Sequence, residues 1–491
     1  MSKTTMLEDA RRYEKDPSNT IPAGERPGFH MTPRTGWTND PNGFCFYGGQ
    51  YHLFHQYYPY DTVWGPMHWG HVTSKDLLHW DYLPAALAPD TPADAAGCFS
   101  GSALPLEDGR LMLMYTGVQR PAAPGQPEPQ AQCIALGDGQ DFEKCAQNPV
   151  IGADLLPEGY SKTDFRDPKI WKENGRYFCV VAGMHETDRG SILLYQSEDA
   201  RTWRYAARLA ASCGEYGGMW ECPDFFPLEG TQVLLVSPVE MQPTPDLEYR
   251  PGHGTLALLG QYDAGTHHFV RQSAQAIDQG LDFYAPQTLL APDGRRIMIA
   301  WMENWATCRT VPRPHRWFGS MTLPRELFVR DGRLCQRPVR ELEQMWRTTL
   351  CRDVLLDGES RFDGVKGRML DMTLVLDTGA SPECRRFTLH LAEGEGLFTE
   401  VVCDLAHGEL LLDRSQSGTV QDIPHSRRIR LLPRQGKLTM RVVMDTESIE
   451  LFLNEGERAM TACISTPLRA DGIRFMSDGP LRMHLEHHTL G

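Results

Sequence analysis

The chain has 491 residues, with 49 Lys and Arg against 64 Asp and Glu, and so a formal charge of −15 at pH 7. That length implies two or three domains unless a propeller takes up much of it, and 41% hydrophobic with 23% charged residues excludes wholesale disorder and collagen-like repetition. The acidic excess argues against nucleic acid or an anionic membrane as partner, and apolar runs such as Val233–Val236 are far shorter than the roughly 18 residues a spanning helix needs.

Residues 1–27 form an N-terminal extension of alternating charge without the apolar stretch of a secretory signal. The 13 cysteines are scattered with no CxxC pair, and no Asn-x-Ser/Thr sequon occurs. This pattern suits reduced thiols and a cytoplasmic protein better than a disulfide framework or a zinc site.

From there a turn followed by a short apolar run recurs five times: GGQYHLFHQY (48–57), DGRLMLMYTG (108–117), NGRYFCVVAG (174–183), GTQVLLVSPV (230–239) and DGRRIMIAWM (293–302). Glycine supplies each turn, and the near-continuous apolar run fits a strand buried on both faces. An acidic turn leading to an aromatic also recurs, at Asp76–Trp80 and Asp199–Trp203. A spacing of about 60 residues accommodates a four-stranded sheet with its loops, so a five-bladed β-propeller is expected over 28–337. An irregular β-sandwich is the alternative. Residues 338–350, including RELEQMW, read as a linker helix. Beyond it, alternating stretches such as LTMRVVM and SIELFL, with a hairpin turn at Asn454–Glu457, predict a structural β-sandwich over 351–491.

Three carboxylates stand in distinctive settings ahead of the repeated runs. Asp40 lies in WTNDPNG, where Pro41 holds it extended and Pro-Asn-Gly reads as a tight turn. Asp167 lies in FRDP beside Arg166, which favours its ionised form. Glu221 lies in MWECPD, where apolar neighbours would raise its pKa and let it serve as a general acid. Two anions and one proton donor are what glycoside cleavage requires. Trp64, Trp69, Phe99, Tyr284, Trp301, Trp305 and Trp317 surround the same loops and offer ring faces to a sugar. His68 and His71 lack an acidic third ligand, so neither metal nor cofactor is expected. A sugar-binding propeller without catalysis is the reading of another class.

WTNDPNG, WGPMHWGHVTSKDLLHW (64–80), GCFSGSA (97–103), FRDPK (165–169), WECPD (220–224), DFYAPQ (282–287) and TLPREL (322–327) occur in this order. With them the chain strongly resembles glycoside hydrolase family 32, the invertases, sucrose-6-phosphate hydrolases and β-fructofuranosidases. The resemblance implies a five-bladed propeller with a C-terminal β-sandwich and retaining hydrolysis of terminal β-D-fructofuranosyl residues. It implies Asp40 as nucleophile, Glu221 as acid/base and Asp167 as transition-state stabiliser. By the same resemblance Asn39, Gln56, Trp64, Phe99, Ser100, Arg166, Tyr284 and Trp301 would line the fructose pocket. Sucrose, sucrose-6-phosphate or a short fructan is the expected small-molecule partner, for a monomer or homodimer. Thr38 departs from the family's larger apolar residue. The basic stretch Arg309, Arg313, His315 and Arg316 is a candidate phosphate anchor.

Overall fold

A computed structural model describes residues 5–308, 315–418 and 422–491. Five sheets of antiparallel strands follow one another from Gly36 to Pro338 and form the blades of a propeller. Their first strands are Gly36–Tyr47 (blade I), Gly97–Pro105 (II), Tyr160–Glu173 (III), Trp220–Leu228 (IV) and Tyr284–Leu290 (V). These strands adjoin one another in a closed ring, I to II and onward to V and back to I, so they line the central channel. Trp317 and Phe318 add a short parallel strand beside Gly36 and Trp37 in blade I, so residues from the end of the propeller help to close it.

The repeated apolar runs are the second strands: Gln50–Tyr58, Leu111–Val118, Arg176–His185, Thr231–Pro238 and Arg296–Trp301. They read as nearly unbroken hydrophobic segments because blades pack face to face and bury both sides of a sheet. Val180 and Val181, for example, are both fully buried, in different core clusters on the two faces of blade III.

Met6–Lys15 forms an α-helix, capped reciprocally by Thr5 and Glu8, that buries Ala10 against Tyr57 and Ala85 of blade I. The expected linker helix is reduced to a 3₁₀ segment, Arg340–Met345. It ends there because Trp346–Ser360 is committed as a strand to the last strand, Gly472–Leu490. That last strand belongs to both layers of the C-terminal sandwich. Through Phe475–Ser477 it pairs with Arg386–Gly394, and through Arg482–Thr489 with Leu370–Asp377.

The sandwich packs on the propeller through a buried polar network. Arg325, fully buried, donates to Asp278 (2.9 Å) and to Glu450 (2.5 Å) across the boundary. His30 bridges Asp445 and Glu450, at 2.8 Å each. None of the cysteines is in a disulfide, and most of them are buried. No helix among the described residues is long and apolar enough to cross a membrane.

Candidate active site

The three singled-out carboxylates do not lie in turns ahead of the blades; they lie within the first strands of blades I, III and IV. Pro41 pairs with His55 and Asn42 with Phe54, so the turn-like sequence Pro-Asn-Gly is absorbed as an irregular strand. Gly43 makes this possible: its φ is +52°, and a Cβ there would come within 2.6 Å of the Phe54 ring.

All five first strands are bulged at the same level of the channel, with register shifts between Thr38 and Pro41, Phe99 and Gly101, Arg166 and Lys169, Glu221 and Asp224, and Tyr284 and Gln287. In four of them a proline follows the bulged residue: Asp40-Pro41, Asp167-Pro168, Cys222-Pro223 and Ala285-Pro286, with Ser100-Gly101 in blade II. Proline has no N–H for a ladder, and a bulge re-aims the side chain before it. Asp167, Cys222 and Ala285 have φ of +65°, +50° and +51°, a local cost of about 1–3 kcal/mol each. Asp167 is held in this conformation by its own N–H, which donates to Thr116 Oγ1 at 2.9 Å.

The bulges gather the carboxylates in a cavity of about 120 Å³, lined by Asn39, Asp40, Gln56, Trp64, Phe99, Ser100, Arg166, Asp167, Glu221 and Trp305. Asp40 Oδ2 accepts from Ser100 Oγ at 2.7 Å, and its Oδ1 accepts from Asn39 Nδ2 at 3.1 Å. Trp37 Nε1 donates to Asn39 Oδ1 and so fixes that amide's orientation. Cys222 joins the two aspartates: its N–H donates to Asp167 Oδ2 at 2.9 Å, and its thiol lies 3.5 Å from Asp40 Oδ2 and 3.6 Å from Asp167 Oδ2. Glu221 is held by other partners. Arg166 donates to its Oε1 through Nε (3.1 Å) and Nη2 (2.9 Å), and the Tyr284 hydroxyl lies 2.6 Å from its Oε2.

The electrostatics differ from the expectation of two anions and one apolar acid. Burial, reinforced by the charge of Glu221 and opposed by the Ser100 and Asn39 hydrogen bonds, pushes Asp40 up to about 6. Burial also pushes Asp167 up to about 7, against the opposing charge of Arg166, with Glu221 and Asp40 adding to the rise. Glu221 does not sit in apolar company: strand alternation turns Trp220 into the core and Glu221 to Arg166 and Tyr284. The Tyr284 hydroxyl also lies 3.0 Å from the Ser237 carbonyl. It can therefore donate to a Glu221 carboxylate, or accept from the acid while donating to Ser237.

Trp301 does not reach the cavity. It is fully buried, edge-to-face against Trp305 with ring centroids 5.2 Å apart, and Trp305 presents the ring. Trp69 and Trp317 are core residues, whereas Trp64 is 46% exposed at the rim. Thr38, fully buried, is satisfied by His55 and the Gln56 carbonyl. In the basic stretch, His315 pairs with Glu447 and Arg316 donates to the carbonyls of Ser18 and Thr20. Arg309 and Arg313 lie outside the described residues. One sequence signal accompanies the ring: the triplets NDP, RDP, ECP and YAP put a proline after the bulged residue in the first strands of blades I, III, IV and V.

Known proteins show the same arrangement of domains. Residues 30–338 match the Glycosyl hydrolases family 32 N-terminal domain, and residues 341–489 match the Glycosyl hydrolases family 32 C terminal. The chain is 39% identical over 473 residues to a raffinose invertase of Escherichia coli, covering 93% of this chain and 94% of that one. It is 37% identical over 460 residues to a sucrose-6-phosphate hydrolase of Zymomonas mobilis, covering 91% and 87%. The solved GH32 β-fructofuranosidase of Bombyx mori superposes with a TM-score of 0.84 at 32% identity, covering 99% and 98%. The chain belongs to glycoside hydrolase family 32.

Proposed function

We propose that the protein is a retaining β-fructofuranosidase that releases terminal β-D-fructofuranosyl residues from sucrose-type sugars, with Asp40 as nucleophile, Glu221 as acid/base and Asp167 as the stabilising anion. The observation that carries this reading is the separate support of the carboxylates. Two aspartates share Cys222 on one side of the cavity, while Arg166 and Tyr284 hold the glutamate on another. In the first step Asp40 attacks the anomeric carbon while Glu221 gives its proton to the departing glycosidic oxygen, leaving a fructosyl ester on Asp40. In the second, Glu221 takes a proton from water, which attacks the same carbon and frees both fructose and Asp40. The Tyr284 hydroxyl supports both states of Glu221, because it can turn between the carboxyl group and Ser237.

Asp40→Ala and Glu221→Gln are expected to lower kcat on sucrose by about three orders of magnitude or more with unchanged thermal unfolding. Near-normal turnover in either would remove the assignment. A neutral substrate is favoured over its 6-phosphate. Arg166 is the only cation among the described residues lining the cavity, and Glu221 already engages it. A kcat/KM on sucrose-6-phosphate about tenfold or more above that on sucrose would reverse this preference.

A further inference from the structure

We infer that Arg414, a residue of the sandwich domain, is a positioning residue for the acid/base step. This rests on the assignment of Glu221 as acid/base. The segment Asp278–Asp282 precedes the first strand of blade V, and the sandwich strand Arg458–Cys463 lies along it. Gln279 N–H donates to the Ala459 carbonyl, Leu281 N–H to the Thr461 carbonyl, and Thr461 N–H to Asp278 Oδ1, at 2.8, 2.8 and 3.0 Å. Asp282 is fully buried and is gripped from the sandwich: it accepts from the Arg414 guanidinium and, at 2.7 Å, from the Cys463 N–H. Arg414 itself is 2% exposed and also binds the Cys463 carbonyl at 2.8 Å.

Two site groups hang from this segment. Tyr284, two residues beyond Asp282, places its hydroxyl on Glu221. The Leu281 carbonyl accepts from Asn304 Nδ2 at 2.7 Å, and Asn304 precedes Trp305, whose ring lines the cavity. The Cys463 thiol adds a contact to the Met302 carbonyl, at 3.2 Å, on the same Trp305 segment. A buried fork-to-carboxylate contact is directional, so it sets where Asp282 lies as well as holding it. The sandwich thus fixes the position from which Tyr284 reaches the acid/base.

The test is Arg414→Lys, which keeps the charge and loses the fork, assayed on sucrose and on β-D-fructofuranosyl fluoride. Fluoride leaves without a proton donor, so a defect at the acid/base spares the first step on the fluoride, and kcat/KM reports that step alone. Arg414→Lys is expected to lower kcat/KM on sucrose about tenfold or more and kcat/KM on the fluoride about twofold or less. Arg441→Lys is the matched control. Arg441 grips Asp371 through the same fork (2.8 and 2.6 Å) but wholly within the sandwich. It is expected to lower the unfolding temperature and leave kcat/KM on both substrates unchanged. Equal losses on the two substrates in Arg414→Lys, or none, overturn the proposal. If Arg414→Lys does not fold, Asp282→Asn decides, because it keeps the size and an acceptor for the Cys463 N–H while weakening the Arg414 fork. A twofold to threefold loss on sucrose alone supports the proposal; equal or no losses overturn it. Glu221→Gln on the same pair of substrates separates the two claims. If it fails to spare kcat/KM on the fluoride, the acid/base assignment itself is wrong; if only Arg414→Lys fails to discriminate, the remote role alone is lost.

Discussion

Ser100→Ala isolates one hydrogen bond to the nucleophile. Ser100 Oγ donates to Asp40 Oδ2 at 2.7 Å, in a site where burial already pushes Asp40 up to about 6. A hydrogen bond to an ionised group contributes about 1.5–3 kcal/mol, and one pKa unit corresponds to about 1.4 kcal/mol, so its removal should raise Asp40 by about 1–2 units. The direction follows from the charge: the hydrogen bond favours the carboxylate, and losing it favours the acid. With Asp40 at about 6, about nine-tenths of the protein carries the nucleophile ionised at pH 7. After the substitution that fraction falls to between about one-half and one-tenth, so kcat/KM at pH 7 drops about twofold to tenfold. The assay is kcat/KM on sucrose from pH 4.5 to 9. The acid limb should move upward by about 1–2 units. A pH-independent loss, or an acid limb that stays in place, would refute the argument that Ser100 acts on the ionisation of Asp40.

Trp305→Ala opens one wall of the cavity and should raise KM for sucrose about tenfold with a smaller change in kcat, as expected of a wall ring that offers a sugar an apolar face and no reacting group; initial-rate kinetics measure this. Thr116→Val removes the acceptor of the Asp167 N–H and leaves a buried donor unpaired beside a left-handed backbone. The expected result is a kcat loss of about tenfold that Thr116→Ser largely restores. His30 governs stability at the domain boundary. Burial alone would lower its pKa, but Asp445 and Glu450 outweigh that and hold it at about 9. Its folded pKa therefore lies above the ordinary value of 6.5, so its contribution is complete below about pH 6.5 and is lost as pH rises through about 9. The loss is on the order of 3 kcal/mol over that window, and His30→Gln should lack it. Parallel urea-unfolding curves for the two proteins at pH 6 and pH 9.5 would contradict this.

The sequence by itself determined the architecture, because a propeller repeats its own physics. Five turns followed by five apolar runs mark five second strands, each buried on both faces, and that burial is written directly in the residue types. The sandwich strands Lys437–Asp445 and Ser448–Leu453 were equally legible from alternation. So were the three carboxylates, through motifs that cluster polar groups around proline, whereas Asn39, Gln56, Trp64, Phe99 and Ser100 were assigned to the pocket by the resemblance to a known family. The N-terminal helix and the long shared strand Gly472–Leu490 escaped because charge alternation masks one and an internal Ser-Asp-Gly-Pro break masks the other. What the tertiary structure decided was which neighbour each group met. Next to Trp220 in sequence, Glu221 reads as an acid in apolar surroundings; in space the bulge turns it to Arg166 and Tyr284. Asp167 stands beside Arg166 in sequence, yet burial among like charges pushes it up to about 7. Trp301 and Trp305 are four residues apart, and only packing chooses which ring faces the sugar. Ionisation and access are set by distances of a few ångströms between blades, and no single strand contains those distances.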